Sequence, residues 1–335
     1  MQGENASPLT TAGPSAAYQW RSCLTRMEGA YAANTIRSYR VDFTIFEAWC
    51  AENERTALPA SPETVAEFVH AQSKSAAPAT VSRRRASIAK IHRLLKLENP
   101  VSSEEVNLAT RTVFRQKGRR QEQALGLTSA LKQQIIGACA NDLRGLRDRA
   151  LFAVGYDTLC RRAELVQLRI DDLTSKRDGS ATILVRKSKA DQFGHGRLAY
   201  LSIEAFAHLQ TWISAAAITT GPIFRGTCGP VLMPEALHPY SVARVLKDAA
   251  RTAGLPKDEI AKLSGHSMRV GAAQDMAAAG IDLGAIMHAG GWKSPDMVMR
   301  YIEHMEVGKS GMARLYRAAI KDPAEVLLHR IGAKG

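Results

Sequence analysis

Apolar side chains recur every three or four residues along the N-terminal third of the chain, which is the spacing of one face of an α-helix. In residues 34–51 that face carries Ile36, Val41, Ile45, Phe46 and Trp49. This pattern predicts a helix over 34–51, and similar patterns predict helices over 18–28 and 80–97. Ser61 followed by Pro62 predicts the start of a further helix at residue 61. The pattern predicts an all-helical N-terminal domain over residues 18–111, preceded by a polar, disordered tail at residues 1–17.

The pattern changes in the second half of the chain. Helical periods at 143–159 and 162–168 are followed by apolar runs at 181–186 and 197–202, which predict the two strands of a hairpin. Helices are predicted to dominate again from Ile203 onward. The sequence therefore predicts a mainly α protein, with a second domain over residues 128–335 that contains a small antiparallel β-sheet.

Residues 112–127 between these domains show little apolar periodicity, contain Gly118, and predict a linker. A basic cluster lies within this segment: Arg115, Lys117, Arg119 and Arg120. Its charge is one reason to consider a polyanionic partner.

The whole chain is basic. Its 335 residues include 45 Lys and Arg against 32 Asp and Glu, a net charge of +13 with a pI near 9.7. This balance favours a nucleic acid partner. The helix predicted at 80–97 is basic without any acidic residue, and its cations are Arg83, Arg84, Arg85, Lys90, Arg93 and Lys96. Contact with DNA and a simple solvated face explain that helix equally well.

Five widely spaced cysteines with no C-x-x-C pair argue against a disulfide framework or a zinc site, and predict reduced thiols. The N-terminal residues lack a basic segment followed by an apolar core, and no apolar run reaches eighteen residues. We therefore expect a cytoplasmic protein with no membrane partner.

The candidate chemistry lies near the C-terminus. His266 and Arg269 are three residues apart on a predicted helix and so face the same side. Trp292 follows two glycines, and Tyr301 comes thirty-two residues after Arg269. A cationic pocket facing a phenol suits attack on a phosphodiester, because the phosphoryl oxygens gain charge in the transition state.

These motifs resemble the tyrosine recombinase (phage integrase) family, and specifically its Cre-like branch. The matching segments are TLCRRAELVQLRIDDL, VRKSKADQFG, SGHSMRVGA, AGGW and VMRYIEH, in that order. The residues that match the family's functional positions are Arg161, Glu164, Lys189, His266, Arg269, Trp292 and Tyr301. Each match alone is weak, but their joint order and spacing are specific.

The resemblance implies a reaction. Tyr301 would attack a DNA phosphate, form a 3′-phosphotyrosine and release a 5′-hydroxyl, without ATP, a metal ion or another cofactor. Arg161 and Arg269 would contact the non-bridging oxygens, a role that suits the planar guanidinium. His266 and the indole N–H of Trp292 would add hydrogen bonds.

The same resemblance assigns the remaining positions and an assembly. Lys189 would protonate the departing oxygen, and Glu164 would orient the pocket. The family fold is a C-shaped clamp of two domains around double-stranded DNA. Two protomers bind one inverted-repeat site, and two sites form a tetramer that exchanges strands through a Holliday junction. Residues 311–331 have the length and apolar content to dock into a neighbouring protomer.

Other interpretations stay open at this point. Tyr301 also fits a buried position on a helix, and residues 275–292 fit a helix-turn-helix, which would make the protein a non-catalytic DNA-binding regulator. A type IB topoisomerase or a telomere resolvase would share the chemistry and differ in product. Arg162 departs from the apolar residue that is frequent after the first catalytic arginine of the family.

Overall fold

A computed structural model describes residues 15–118, 123–186, 196–229, 231–307 and Met312. The chain divides into two compact units between Gln121 and Glu122. In the described part of the chain, no helix has the length and apolar composition needed to cross a membrane. Each unit has its own hydrophobic core.

The first unit is built from helices. Their bounds are α1 (Ser15–Thr25), α2 (Ala33–Glu52), α3 (Pro62–Ser73), α4 (Pro78–Leu94) and α5 (Glu104–Lys117). Ser61 caps α3, since its hydroxyl accepts the Thr64 N–H at 3.3 Å and Pro62 begins the helix. Ser103 caps α5 in the same way, with the Val106 N–H at 3.3 Å. Local sequence therefore determines where these helices begin.

Aromatic side chains form the centre of the first core. The rings of Trp20, Phe43, Phe46 and Phe68 make successive edge-to-face contacts with centroid distances of 4.9, 5.7 and 4.9 Å. All four side chains are buried. Such pairs add roughly 0.5–1.5 kcal/mol each beyond the burial of their area.

The structure differs from three predictions in this unit. Val41, expected on the buried face of α2, is 49% exposed, whereas the neighbouring Asp42 is fully buried. The ion pair between Asp42 and Arg83 makes that burial possible, and a hydrophobic pattern cannot indicate it. The segment 112–127 is also not a linker throughout, because α5 continues to Lys117 and Val113 is buried in the core. Similarly, α1 begins at Ser15, within the tail predicted as disordered.

The second unit combines helices with two small sheets. Its helices are α6 (Ser129–Gly137), α7 (Leu143–Thr158), α8 (Arg162–Leu165), α9 (Ile203–Ala215), α10 (Ser241–Thr252), α11 (Lys257–Lys262), α12 (Ser267–Ala278), α13 (Leu283–Gly290) and α14 (Pro295–Val307). Its strands are β1 (Leu173–Ser175), β2 (Ala181–Val185), β3 (Arg197–Leu201), β4 (Arg225–Cys228) and β5 (Val231–Ala236). The mainly helical class with a small antiparallel sheet is confirmed.

The first sheet has the order β1-β2-β3 and is antiparallel throughout, with Ile183 opposite Ala199. The predicted hairpin of β2 and β3 is present. The second sheet, β4-β5, was not predicted and lies in the region where helices were expected to dominate. Most of β5 is exposed, so it lacks the alternation of buried and exposed residues that predicts a strand.

The first described residues of the second unit cross α12 and contact it. The Leu127 N–H donates to the Ser267 carbonyl at 2.7 Å, at the start of that helix. A Cβ atom on Gly271 would lie 2.0 Å from the Leu127 carbonyl oxygen, so this approach needs a residue without a side chain. The glycine thereby fixes α12 against the first residues of the unit.

Candidate active site

Arg161 lies in the turn between α7 and α8. Leu159 ends α7 in a left-handed conformation, with φ of 50°. Glu164, only 5% exposed, accepts the Arg161 backbone N–H at 3.0 Å and its Nη1 at 2.7 Å. The buried carboxylate therefore holds both the main chain and the guanidinium of Arg161, which remains partly accessible.

Arg269 lies in the first turn of α12 and is 1% exposed. Its Nη1 donates to the Leu159 carbonyl, and its Cζ lies 3.7 Å from the centre of the Trp292 ring. Its Nη2 is buried and has no hydrogen-bond partner among the described residues. Leaving such a donor unsatisfied costs about 1–3 kcal/mol or more for a charged group, so the site is suited to an anion.

The pKa of Arg269 is lowered to about 10, first by burial and then by the charge of Arg161. The charges of Glu164 and Tyr301 oppose this shift. At neutral pH the side chain stays protonated, because the pKa is still well above 7. The pocket thus holds two cations close together in a desolvated setting, and a bound anion would relieve their repulsion.

His266 is the residue immediately before α12. Its backbone N–H donates to the Ser264 hydroxyl at 3.1 Å, and part of the residue is open to solvent. Partial desolvation lowers the pKa of His266, and the charges of Arg162, Arg269 and Arg161 lower it further. The lowered pKa favours the neutral imidazole, which can act as a hydrogen-bond donor or acceptor.

Trp292 connects Arg269 to Tyr301. The guanidinium covers one face of the indole, and the Tyr301 ring makes an edge contact with it at 6.1 Å between centroids. A Cβ atom on Gly290 would lie 1.9 Å from the Trp292 ring, which explains the glycine in the AGGW motif. Trp292 is 9% exposed, in an apolar cluster that includes Ile302 of α14.

The structure thus brings together residues from distant parts of the second unit. Those that lie around the pocket are Arg161, Glu164, His266, Arg269, Trp292 and Tyr301. Lys189 lies outside the described residues, as do Arg119, Arg120 and the segment 311–331 apart from Met312.

Arg162, which departs from the family pattern, extends across the surface beside the pocket. Its Cζ lies 4.5 Å from the centre of the Tyr240 ring, and a Cβ atom on Gly265 would be 2.9 Å from its Cδ. Its charge is the second cause of the lowered pKa of His266. The additional cation therefore helps to keep that imidazole neutral.

Sequence reasoning missed Arg197, the first residue of β3. Its Nη1 donates to the Ala289 carbonyl at 3.0 Å, and its Nη2 donates to the Thr158 carbonyl at 2.6 Å. It therefore joins β3 to the ends of α7 and α13, which lead to Arg161 and Trp292. The sequence offered no signal for this role, because the two oxygen acceptors are backbone carbonyls and the third acceptor is the buried Cys160 Sγ, at 3.6 Å.

The predicted helix-turn-helix is present as the end of α12, the turn after it, and α13. Gly280 follows α12 with φ of 80°, and Asp282 caps α13 by accepting the Ala285 N–H at 2.9 Å. These helices nevertheless contribute to the pocket, since α12 carries Arg269 and Ile286 of α13 is buried in the cluster with Trp292. The motif is part of the site's framework.

The basic residues of α4 contact side chains of their own unit. Arg83 makes two bonds to Asp42, at 2.9 and 2.8 Å, and Arg84 donates to Gln72. Arg85 donates to the Thr110 hydroxyl at 2.9 Å. These three cations have structural partners in addition to any contact with DNA.

The basic end of α5 is exposed, whereas Lys90 is half-buried. Lys90 donates to the Tyr31 hydroxyl at 3.0 Å, and this bond is exposed. Arg115 and Lys117 are exposed in the last turn of α5, where Lys117 donates to the Ala76 carbonyl at 3.3 Å. Of the predicted DNA contacts within the described residues, the exposed ones are Arg83, Arg115 and Lys117, and Arg83 is also paired with Asp42.

Comparison with known proteins agrees with this geometry. The phage integrase family model matches residues 127–306, and the model of the phage integrase N-terminal SAM-like domain matches residues 24–99. The chain is 35% identical to an integrase/recombinase xerD homolog of Selenomonas ruminantium, over 87% of this chain and 88% of that protein. It is 30% identical to the recombinase cre of Escherichia phage P1, over 80% and 83% respectively.

A solved structure shows the same fold. The XerH site-specific recombinase, bound to a palindromic difH substrate, superposes with a TM-score of 0.60 at 18% identity. The match covers 91% of this chain and 84% of that one. Two matched domains, two long alignments and a shared fold lead to one conclusion: the chain belongs to the phage integrase family of tyrosine recombinases.

Proposed function

We propose that this protein is a site-specific DNA recombinase in which Tyr301 is the nucleophile. Its hydroxyl oxygen attacks a DNA phosphorus, and the bond from phosphorus to the 5′-oxygen breaks. The product is a 3′-phosphotyrosine with a free 5′-hydroxyl on the other end. A second 5′-hydroxyl then attacks the ester and releases Tyr301, so the bond energy is conserved and the proposal includes no nucleotide or metal cofactor.

The buried, unsatisfied Nη2 of Arg269 is the observation that carries this proposal. A charged donor that is 1% exposed and lacks an acceptor among the described residues is costly unless a ligand supplies one. A phosphate oxygen is a suitable acceptor, because guanidinium groups bind phosphate with short, charge-assisted bonds. Tyr301 lies beside the same indole ring as this guanidinium, so a phosphate bound there would be close to the phenol.

The other residues have roles that follow from their chemistry. Arg161, oriented by Glu164, would bind a second non-bridging oxygen and share the charge that develops in the transition state. His266 and the Trp292 indole N–H would donate hydrogen bonds. Lys189 would protonate the leaving 5′-oxygen, as the family resemblance implies.

The assembly belongs to the same proposal. Two protomers would bind an inverted-repeat site in double-stranded DNA, and two such sites would form a tetramer that resolves through a Holliday junction. The relatives named above support a DNA partner. Residues 311–331 would dock into a neighbouring protomer, and the protein would act in the cytoplasm of a bacterium, on plasmid or phage DNA.

The DNA-binding residues are part of the proposal too. Half-buried Lys90 and exposed Arg115 and Lys117 would contact phosphates, with Arg119 and Arg120 continuing the basic segment. Arg83, Arg84 and Arg85 would contribute to the local positive potential while they hold the fold of their own unit.

A covalent adduct tests the proposal. A target site can be selected from a randomised duplex library with the purified protein, then synthesised with a nick that lets the cleaved end diffuse away. We expect the wild-type chain to form an adduct that survives denaturing electrophoresis, and Tyr301→Phe to bind the site and form none. Reversible, salt-sensitive binding without any adduct would instead indicate a non-catalytic regulator.

A further inference from the structure

The main chain at Tyr301 is held by two side-chain amides. Gln123 Nε2 and Gln274 Nε2 each donate to the Tyr301 carbonyl oxygen at 3.1 Å, and both bonds are partly buried. The two glutamines come from different elements, since Gln274 lies on α12 and Gln123 is the second residue of the second unit. No sequence motif discussed above includes either glutamine.

Apolar packing alone does not fix the position of α14 along its axis. Val298 and Ile302 bury this helix in the cluster around Trp292, but hydrophobic contact is non-directional. A hydrogen bond constrains distance and angle. Two bonds that converge on one atom from different elements therefore restrict sliding and rotation of the helix at the residue that carries the reactive hydroxyl.

The elements that supply the glutamines are themselves held together. The Leu127 N–H donates to the Ser267 carbonyl at 2.7 Å, and the Leu125 N–H donates to the Lys262 carbonyl at 3.0 Å. The segment from Gln123 is thus bonded to both sides of the turn that contains His266. The same framework that presents His266 and Arg269 therefore also holds the carbonyl of Tyr301.

We propose that Gln123 and Gln274 are positioning residues that hold Tyr301 in register with Arg269 and Trp292. This inference rests on the proposed role of Tyr301 as nucleophile. The glutamines act through the main chain and do not touch the substrate. A misplacement of about 1 Å at a reacting atom can cost on the order of 100-fold in rate, so the constraint bears directly on cleavage.

The test uses Gln123→Met and Gln274→Met, which keep length and remove the amide. Single-turnover cleavage of the nicked site should slow by about 3- to 10-fold for each variant, the effect of one lost hydrogen bond, with DNA affinity unchanged. Gln134→Met is the matched control, because Gln134 also donates to a backbone carbonyl, that of Ala253, at 3.3 Å. The control should cleave at the wild-type rate.

Two readouts separate positioning from a loss of structure. A variant that merely destabilises the fold lowers the amplitude of cleavage and the unfolding midpoint, whereas a mispositioned tyrosine lowers the rate constant at full amplitude. A substrate with sulfur at the 5′-bridging position needs no proton on its leaving group, because a thiol has a pKa of about 8.5 and the sulfur can leave as a thiolate. On this sulfur substrate the methionine variants should remain slower than wild type by the same factor. The cleavage rate of Lys189→Ala should instead return towards the wild-type rate.

The outcomes are distinguishable. If the wild-type chain forms no adduct through Tyr301, the proposed function fails. If it does, and both methionine variants cleave at the wild-type rate, the function stands and the positioning role is overturned. Recovery of the methionine variants on the sulfur substrate would also overturn it, because their defect would then lie in leaving-group protonation. If one methionine variant fails to fold, the cleavage rate of the other still tests the positioning role.

Discussion

At the scale of single residues, two buried side chains differ in whether their polar atoms have hydrogen-bond partners. The Nε2 of His92 accepts the Ala60 N–H at 3.0 Å and its Nδ1 lies 2.9 Å from the Ile88 carbonyl, so the neutral ring is fully satisfied. Arg269 has one nitrogen without a partner among the described residues. The satisfied ring of His92 fits a structural role, whereas the Nη2 of Arg269, which lies beside Trp292 and Tyr301, can take a ligand as its partner.

The satisfied histidine leads to a prediction about pH. Burial lowers the pKa of His92, so the unfolded chain takes up the proton at higher pH than the folded chain. Stability should therefore be fully present above about 6.5, the pKa of an exposed histidine, and should fall as pH drops below it. Thermal unfolding followed at intervals from neutral to mildly acidic pH checks this.

The non-titrating variant His92→Gln isolates the contribution. His266 and His208 also have lowered pKa values, so the wild-type chain combines several effects. We expect the variant to be less stable than wild type near neutral pH and to lose less stability on acidification. An identical pH dependence in both proteins would contradict the assignment.

Sequence motifs pointed to the residues of the pocket and to Glu164, which holds Arg161, but not to the other residues that hold the site. Arg161, His266 and Tyr301 occur in recognisable segments, and the structure brings them into one unit. Arg197 and Gln274 bond to backbone carbonyls far along the chain. Since every residue has such a carbonyl, no pattern of residue types could indicate these partners.

At the scale of elements, the crossing at α12 determines how the pocket is assembled. The residues before α6 approach the helix so closely at Gly271 that a Cβ atom would lie 2.0 Å from a backbone oxygen. That oxygen cannot move without disturbing the adjacent bond from Leu127 to Ser267. The contact therefore stabilises the second unit and the start of the helix that carries Arg269.

Gly271→Ala should be strongly destabilising. Overpacking at a rigid site costs about 1–3 kcal/mol and occasionally more, so we expect a loss of about 3 kcal/mol in the free energy of unfolding. Gly137→Ala is the control, because Gly137 ends α6 and a Cβ atom there would meet nothing within 4 Å. Urea denaturation of both variants measures the difference, and equal stabilities would contradict the close crossing.

Secondary structure was predictable where periodicity and burial agree. The helices α2 and α4 and the hairpin of β2 and β3 all have such patterns. The end of α5 was missed because exposed cations dominate its last turns. Val113 is the buried residue there that joins the helix to the core. The sheet β4-β5 was missed because most of its second strand is exposed.

At the scale of the whole molecule, the basic residues behind the net charge of +13 include some with structural partners and some that we propose contact DNA. Arg83 illustrates the first role, since its side chain is 53% exposed yet pairs with an Asp42 that is fully buried. Arg115 is a candidate for the proposed DNA contact, because it is exposed at the end of α5. Counting basic residues in the sequence cannot separate these roles.

Substitutions can separate them. Arg83→Met leaves the buried carboxylate of Asp42 with weaker partners and should lower the free energy of unfolding by roughly 1–3 kcal/mol. Arg115→Ala should change stability by less than about 0.5 kcal/mol. It should weaken DNA binding at all sequences and reduce the salt-dependence slope by about 1. The account of α4 and α5 would be wrong if Arg115→Ala destabilised the fold more than Arg83→Met.

The central claim is that the Tyr301 hydroxyl becomes esterified to DNA in a pocket formed by Arg161, Arg269 and Trp292. Mass spectrometry of the trapped adduct, after digestion with protease and nuclease, tests it most directly. The account predicts a nucleotide joined through its 3′-phosphate to the peptide that contains Tyr301. A nucleotide attached to any other residue, or joined through its 5′-phosphate, would contradict it.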